Sequence, residues 1–139
     1  MTTTPNARNQ AVIEEFRATE GRVGGVWEGR PLLLLTTTGA KSARRHTTPL
    51  MYHHDGDNLY VFASMGGAPT SPAWFHNLVA NPRVTVERGA DRFEARAVVL
   101  TGEERDRIYA IQGVNFPQFA EYQSKTTRTI PVVQLVHEG

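Results

Sequence analysis

The segment TTPLMYHHDGDNLYVFA, residues 47–63, decides the fold. Asp55-Gly56-Asp57 is a tight-turn signal between two runs rich in apolar, aromatic and β-branched residues. Thr47–His54 and Asn58–Ala63 are therefore expected as antiparallel strands joined by a hairpin. The pattern continues outward in both directions. Upstream, Pro31–Thr37 is an uninterrupted apolar and β-branched run, as expected of a strand buried on both faces, and the turn Thr38-Gly39-Ala40-Lys41 leads it into Thr47. Downstream, Val84 and Val86 alternate with Thr85 and Glu87, and Phe93, Ala95, Ala97 and Val99 alternate with their neighbours across a turn at Gly89. Ile130–Val136 completes a set of six strands.

Helices fall between these runs. Ala7–Glu20 spaces Val12, Ile13 and Phe16 at helical intervals before a stop at Gly21, and a glycine-rich loop carrying Trp27 runs on to Gly29. Ser71–Ala80 is expected as a helix with Ser71 at the N-cap and Pro72 at the first helical position, ended by Asn81-Pro82. Thr101-Gly102-Glu103-Glu104 has the form of a capping box and opens a helix through Ile108 and Ile111, followed by a shorter one over Phe116–Tyr122. Strands joined mainly by hairpins with inserted helices make an α+β chain. They predict a barrel of about six mainly antiparallel strands with peripheral helices rather than a doubly wound parallel sheet. Residues 1–139 read as one domain, with 1–30 its N-terminal helix and loop.

Composition narrows the chemistry. The 139 residues hold 15 basic and 14 acidic side chains, a net charge of +1, and no cysteine. Thiol nucleophiles, disulfides and Cys-ligated metal clusters are excluded, and a near-neutral chain argues against a broad nucleic-acid surface. Leu32–Leu35, the longest purely aliphatic run, is far short of a membrane span, and Met1–Gln10 carries no export signal. A cytoplasmic protein without stable membrane insertion is expected, peripheral membrane contact being left open. His53 and His54 are adjacent on one strand and point to opposite faces, and His46 and His76 lack spaced partners, so no metal is expected.

Two constellations stand out. Lys41, Ser42, Arg44, Arg45 and His46 follow a strand at a turn containing Gly39, a combination that forms an anion cradle suited to phosphate; a solvated basic hairpin is the structural alternative. It is not a P-loop, because Ala40 precedes the lysine and the earlier glycine is missing. In the second, the strand ending at Ala63-Ser64 meets Gly66-Gly67, where backbone can approach a ligand closely, and then the helix bearing Trp74. Its alternative is a plain loop with Trp74 as a core anchor. Phe116, Phe119 and Tyr122 recur every three residues, as core or as one face of a lid, with Tyr122 able to offer its phenol.

Taken in order, Leu34-Leu35-Thr36-Thr37-Thr38-Gly39-Ala40-Lys41-Ser42, then Ala63-Ser64-Met65-Gly66-Gly67 with Asn81-Pro82, and finally Tyr122-Gln123 with Arg128-Thr129-Ile130-Pro131, resemble the deazaflavin-dependent nitroreductase family, oxidoreductases that use coenzyme F420. The match covers about three quarters of the chain. It implies a split β-barrel and coenzyme F420 as cofactor. Lys41 and Ser42 would hold its phosphate with help from Arg44, Arg45 or His46, and Ala63, Ser64, Gly66 and Gly67 would approach the deazaflavin ring. Pro72, Trp74 and Asn77 would border the site from their helix, with Pro49 and Met51 as further cofactor contacts. The implied activity is hydride transfer from reduced deazaflavin to a small hydrophobic electron-poor acceptor, such as a quinone, enone or nitroaromatic, with Ser64 and Tyr122 as catalytic candidates. Two alternatives are an FMN-dependent split-barrel reductase and a non-catalytic deazaflavin carrier. A homodimer is a further expectation. The chain departs from the family pattern at Ala43, where glycine is usual, and at His46, where arginine is expected. The nitroreductase branch is expected to carry tyrosines at the positions of Met51, Phe116 and Phe119, and their absence weakens the case for bicyclic nitroimidazole reduction while leaving it open.

Overall fold

The computed structural model describes residues 4–138. Its strands are β1 (Leu32–Thr38), β2 (Arg45–Asp55), β3 (Asn58–Phe62), β4 (Arg83–Arg88), β5 (Asp91–Val99) and β6 (Val132–His137). They close into a barrel in the order β1-β2-β3-β6-β5-β4, β4 returning to β1. All the pairings are antiparallel. The hairpin read from Asp55-Gly56-Asp57 forms, with Asp55 opposite Asn58 and Tyr52 opposite Val61.

Closure explains the apolar run of β1. Hydrogen-bonded on both edges, the strand sends Leu33 and Leu35 into the barrel against Val61, Val86 and Val133, while Leu32 and Leu34 point outward beneath Ile13 and Phe16. Ile13 and Phe16 belong to helix α1 (Thr4–Thr19), which begins earlier than its apolar pattern indicates. It ends where the Gly21 amide returns to the Phe16 carbonyl at 2.8 Å, a C-terminal turn that glycine favours. On the other flank, Tyr60 and Phe62 leave β3 outward to meet Ile108, Tyr109 and Phe119. Those three come from α3 (Gly102–Asn115) and α4 (Pro117–Ser124). Helix α2 (Ala73–Ala80) sits near the end of the barrel where β1 passes into β2 and gives Trp74 and Leu78 to the barrel interior.

Both expected N-caps differ from their sequence reading. Pro72, not Ser71, occupies the N-cap of α2, and the helix starts at Ala73. The Ser71 hydroxyl instead accepts a hydrogen bond from Arg128. Thr101 stands at the N-cap of α3 with extended backbone but makes no side-chain cap. Gly102, with φ +63°, turns the first residue of the helix left-handed, so the geometry of a capping box is not reached. The outward alternation of β5 also ends early, since Val98 and Val99 are both partly exposed. No helix among the described residues is long and apolar enough to cross a membrane.

Candidate active site

The turn from β1 to β2 folds back on itself. The Gly39 amide donates to the Arg44 carbonyl at 2.7 Å, the Ala43 amide to the Gly39 carbonyl at 3.1 Å, and the Arg44 amide to Ser42 Oγ at 3.2 Å. A Cβ on Gly39 would meet Ser42 Oγ and lie 3.2 Å from His46 Nε2, so a larger residue there would push the Ser42 hydroxyl off the Arg44 amide. Ala43 takes a left-handed conformation, φ +60°, a conformation for which glycine is better suited. Helix α2 braces the turn from below. Asn77 Oδ1 accepts from the Ala40 amide at 3.0 Å, Asn77 Nδ2 donates to Thr37 Oγ1 at 3.3 Å, and Asn81 Nδ2 donates to the Thr38 carbonyl at 3.3 Å. With both ends of its amide engaged, Asn77 shapes the turn.

Above this turn, against α1, lies a cavity of about 790 Å³ whose polar lining includes Gln10, Lys41, Ser42, Arg45 and His46. Arg45 is tethered, donating from Nη1 to Thr38 Oγ1 at 3.2 Å and from Nη2 to Thr85 Oγ1 at 2.5 Å; Thr85 in turn donates to Glu94 at 2.8 Å. Lys41 is exposed and forms no ion pair among the described residues, which leaves a cation available to a ligand. Arg44 is exposed and does not line the cavity.

Thr48 and Trp74 also line a second cavity, of about 340 Å³, so the two are compartments of one cleft. The second compartment is mostly apolar. Its walls are Pro49 and Met51 from β2, Pro72 and Trp74 at the start of α2, and Phe119 and Tyr122 from α4. Trp74 is both readings at once: 6% exposed within the barrel core, it is also the shared wall of the compartments. Phe119 packs edge-on to Phe62 and Tyr122, with centroids 5.5 and 5.3 Å away. Below it the Tyr109 phenol donates to the Phe119 carbonyl at 2.6 Å, and burial pushes that phenol up to about 12. Phe116 packs against the same outer cluster.

The floor comes from the loop after β3. Ser64 is 9% exposed and lines the cleft with Met65 and Gly66; neither the Ser64 hydroxyl nor the Tyr122 phenol has a side-chain hydrogen bond among the described residues. Met65, Gly66 and Gly67 all have positive φ, at 47°, 64° and 85°. Gly67 does not reach the cleft. A Cβ there would lie 2.8 Å from the Tyr122 carbonyl, so the glycine lets this loop press on α4. Ala63 likewise is fully buried in the barrel core rather than exposed to the cleft.

Sequence reasoning passed over three residues with a part here. Trp27 and Arg30, from the glycine-rich loop after α1, line the apolar compartment; the tryptophan among glycines was the available signal. Arg128, quoted only as part of a motif, holds the floor: its guanidinium donates to the carbonyls of Ala63, Ser64 and Ala68 and to Ser71 Oγ. Among the described residues no three His, Cys, Asp or Glu side chains gather into a metal-binding group.

Residues 8–137 match the family described as F420H(2)-dependent quinone reductase. A protein of Mycobacterium tuberculosis named F420H(2)-dependent quinone reductase is 44% identical over 124 residues, covering 86% of this chain and 83% of the relative. A solved F420-H2 dependent reductase (FDR-A) is 41% identical with a TM-score of 0.70, covering 76% of this chain and 94% of that one. Another solved structure, described as a domain-swapped dimer, is 38% identical with a TM-score of 0.72 and covers 96% of this chain and 99% of its own.

Proposed function

The chain belongs to the F420H(2)-dependent quinone reductase family, and we propose that the two compartments of its cleft divide cofactor binding from hydride transfer. It is a deazaflavin-dependent reductase with coenzyme F420 as cofactor. The alternatives of an FMN-dependent barrel reductase and a non-catalytic carrier are not favoured by this membership.

The residues present fit the cofactor chemically. A phosphodiester with an acidic tail needs fixed positive charge and N–H donors, which Lys41, Arg45 and the turn around Ser42 supply. A flat ring needs close backbone and apolar walls, which Gly66, Pro72 and Trp74 supply in the next compartment. When bound, the reduced deazaflavin supplies a hydride from the carbon that replaces the reactive nitrogen of a flavin.

The chain's own contribution is position and polarity. Lys41, Ser42 and Arg45, with His46 beside them, hold the phosphate end, and Asn77 keeps their turn in shape. Pro49, Met51 and Trp74 flank the ring and exclude water from it. The Ser64 hydroxyl and the Tyr122 phenol face the acceptor, hydrogen-bonding the oxygen on which negative charge develops and supplying its proton. The apolar wall of Phe119 and Tyr122 selects a hydrophobic acceptor, and a quinone meets each of these requirements. The observation that carries the reading is one cleft with an uncommitted lysine at one end and an uncommitted hydroxyl and phenol at the apolar other. Titration with oxidised coenzyme F420, followed by anaerobic rapid mixing of the reduced complex with menadione, tests it. Binding with accelerated reoxidation is expected; micromolar FMN binding without deazaflavin binding would overturn it, and binding without acceleration would favour a carrier.

Two further expectations belong to the same proposal. The protein is cytoplasmic and meets membranes peripherally: Met65, 55% exposed, lines the apolar compartment, and Val26, 76% exposed, precedes Trp27, which lines it too. Co-sedimentation with vesicles, lost in Val26→Ser, tests this. It also pairs with a second copy, supported by the related structure described as a domain-swapped dimer; analytical ultracentrifugation reads the mass.

A further inference from the structure

Arg128 lies in the short connection between α4 and β6, outside the cleft lining, yet its side chain makes four hydrogen bonds to the loop that floors the ring compartment. Its Nε donates to the Ala68 carbonyl at 2.9 Å and its Nη1 to Ser71 Oγ at 3.1 Å. Its Nη2 donates to the carbonyls of Ala63 and Ser64 at 3.1 and 3.0 Å. These acceptors run from Ala63, the first residue after β3, to Ser71, the residue before the N-cap of α2. One planar guanidinium thus ties down both ends of the loop that carries Ser64, Met65 and Gly66 into the cleft. Arg128 has no carboxylate within ion-pair distance among the described residues, so its donors are committed to geometry rather than to charge pairing.

The same residue is held from the opposite wall. Gln123, which follows Tyr122 on α4, donates from Nε2 to the Arg128 carbonyl at 2.7 Å. Gln123 Oε1 accepts from the Ile130 amide at 3.0 Å and from Arg105 Nη2 at 2.6 Å, and Arg105 also donates to the Ile130 carbonyl. Gly67, in the loop, lies directly against the backbone of Tyr122. The floor bearing Ser64 and the wall bearing Phe119 and Tyr122 are therefore joined through Arg128. The loop needs such a restraint, because Met65 takes a left-handed backbone conformation that side chains rarely adopt.

We propose that Arg128 is a positioning residue that sets the spacing between floor and wall of the ring compartment, and through it the placement of Ser64 and Tyr122 against ring and acceptor. The inference rests on the deazaflavin reading above. Lysine cannot replace it: an ammonium has three donors around a point, whereas these acceptors match a flat fork.

The experiment compares wild type, Arg128→Ala, Arg128→Lys and Lys41→Ala. Each is titrated with oxidised coenzyme F420 and with the deazaflavin riboside fragment that lacks phosphate and tail, and each is assayed with menadione. Arg128→Lys and Arg128→Ala are expected to weaken fragment and whole cofactor by the same factor, about tenfold, and to lower kcat by about a hundredfold, as ångström-scale misplacement does. Lys41→Ala is expected to weaken the whole cofactor alone. Millimolar guanidinium should restore part of the lost turnover in Arg128→Ala, and urea at the same concentration should not. Arg128→Lys keeps charge and bulk and serves where Arg128→Ala fails to fold. Wild-type fragment affinity and kcat in folded Arg128→Lys would overturn the proposal, as would a loss confined to the whole cofactor. Wild-type protein that binds neither ligand would instead overturn the deazaflavin reading itself.

Discussion

At its basic end the cleft takes its cationic groups from one stretch of chain, Lys41–His46, whose turn closes through its own backbone and Ser42 and leaves Lys41 and His46 exposed, while α1, β2 and α2 complete the lining. At its apolar end the cleft draws on the loop after α1, β2, the loop after β3, α2 and α4, and its Trp74, Phe119 and Ser64 are each under a tenth exposed. The first region has spare hydrogen-bonding capacity and little packing, while the second has dense packing and a few polar groups held at fixed places. This difference separates two tasks. A flexible charged tail is caught by charge, which tolerates motion, whereas a hydride must pass between atoms held in near-attack geometry. Altering the basic end should therefore change affinity, and altering the apolar end should change stability and rate.

The sharpest attempt to break that contrast is Trp74→Ala. It removes a buried side chain from the barrel core and the wall between compartments, so a loss of about 3–5 kcal/mol is expected in urea denaturation; a loss below about 1 kcal/mol would show that the apolar end is not a packed extension of the core. Next, Lys41→Ala should weaken binding of coenzyme F420 by about 1.5–3 kcal/mol, the range for a hydrogen bond to a charged group, with the denaturation midpoint unmoved. Unchanged affinity in a fluorescence titration would remove Lys41 from the cradle. Ser64→Ala should lower kcat about tenfold, near 1.4 kcal/mol, with a smaller change in cofactor affinity. The reverse pattern in steady-state kinetics would make Ser64 a binding residue and blur the division. Smallest is Ala43→Gly, which relieves the left-handed alanine and should stabilise the protein by about 0.5–1 kcal/mol after the added freedom of glycine in the unfolded chain. A lower midpoint in Ala43→Gly would mean that the turn is not strained at this residue.

The same contrast explains what could be read ahead of the structure. Strands and tight turns announce themselves by local pattern, so the hairpin at Asp55-Gly56-Asp57 and the unbroken apolar run of the doubly buried β1 were legible. The basic turn was legible because its residues are consecutive. The N-caps were misread since a capping motif specifies residue types but not backbone angles: Gly102 turns left-handed, and Ser71 is claimed by Arg128 from 57 residues away. Gly67 and Ala63 were grouped with the ring contacts because they sit in the same pentapeptide as Ser64. Only packing turns Gly67 toward α4 and Ala63 toward the core.

By itself the sequence determined the strand set, the antiparallel pairing of neighbours, the absence of thiol chemistry and the concentration of charge at one turn, all of which depend on residues close together in the chain. Tertiary structure alone decided that β4 returns to β1 to close the barrel, that Trp74 divides one cleft into two compartments, and that Arg128 fastens the loop carrying Ser64. The physical reason is that periodicity and turn chemistry act over a few residues, whereas a guanidinium finds its acceptors, and a cleft its walls, only after strands distant in sequence have met.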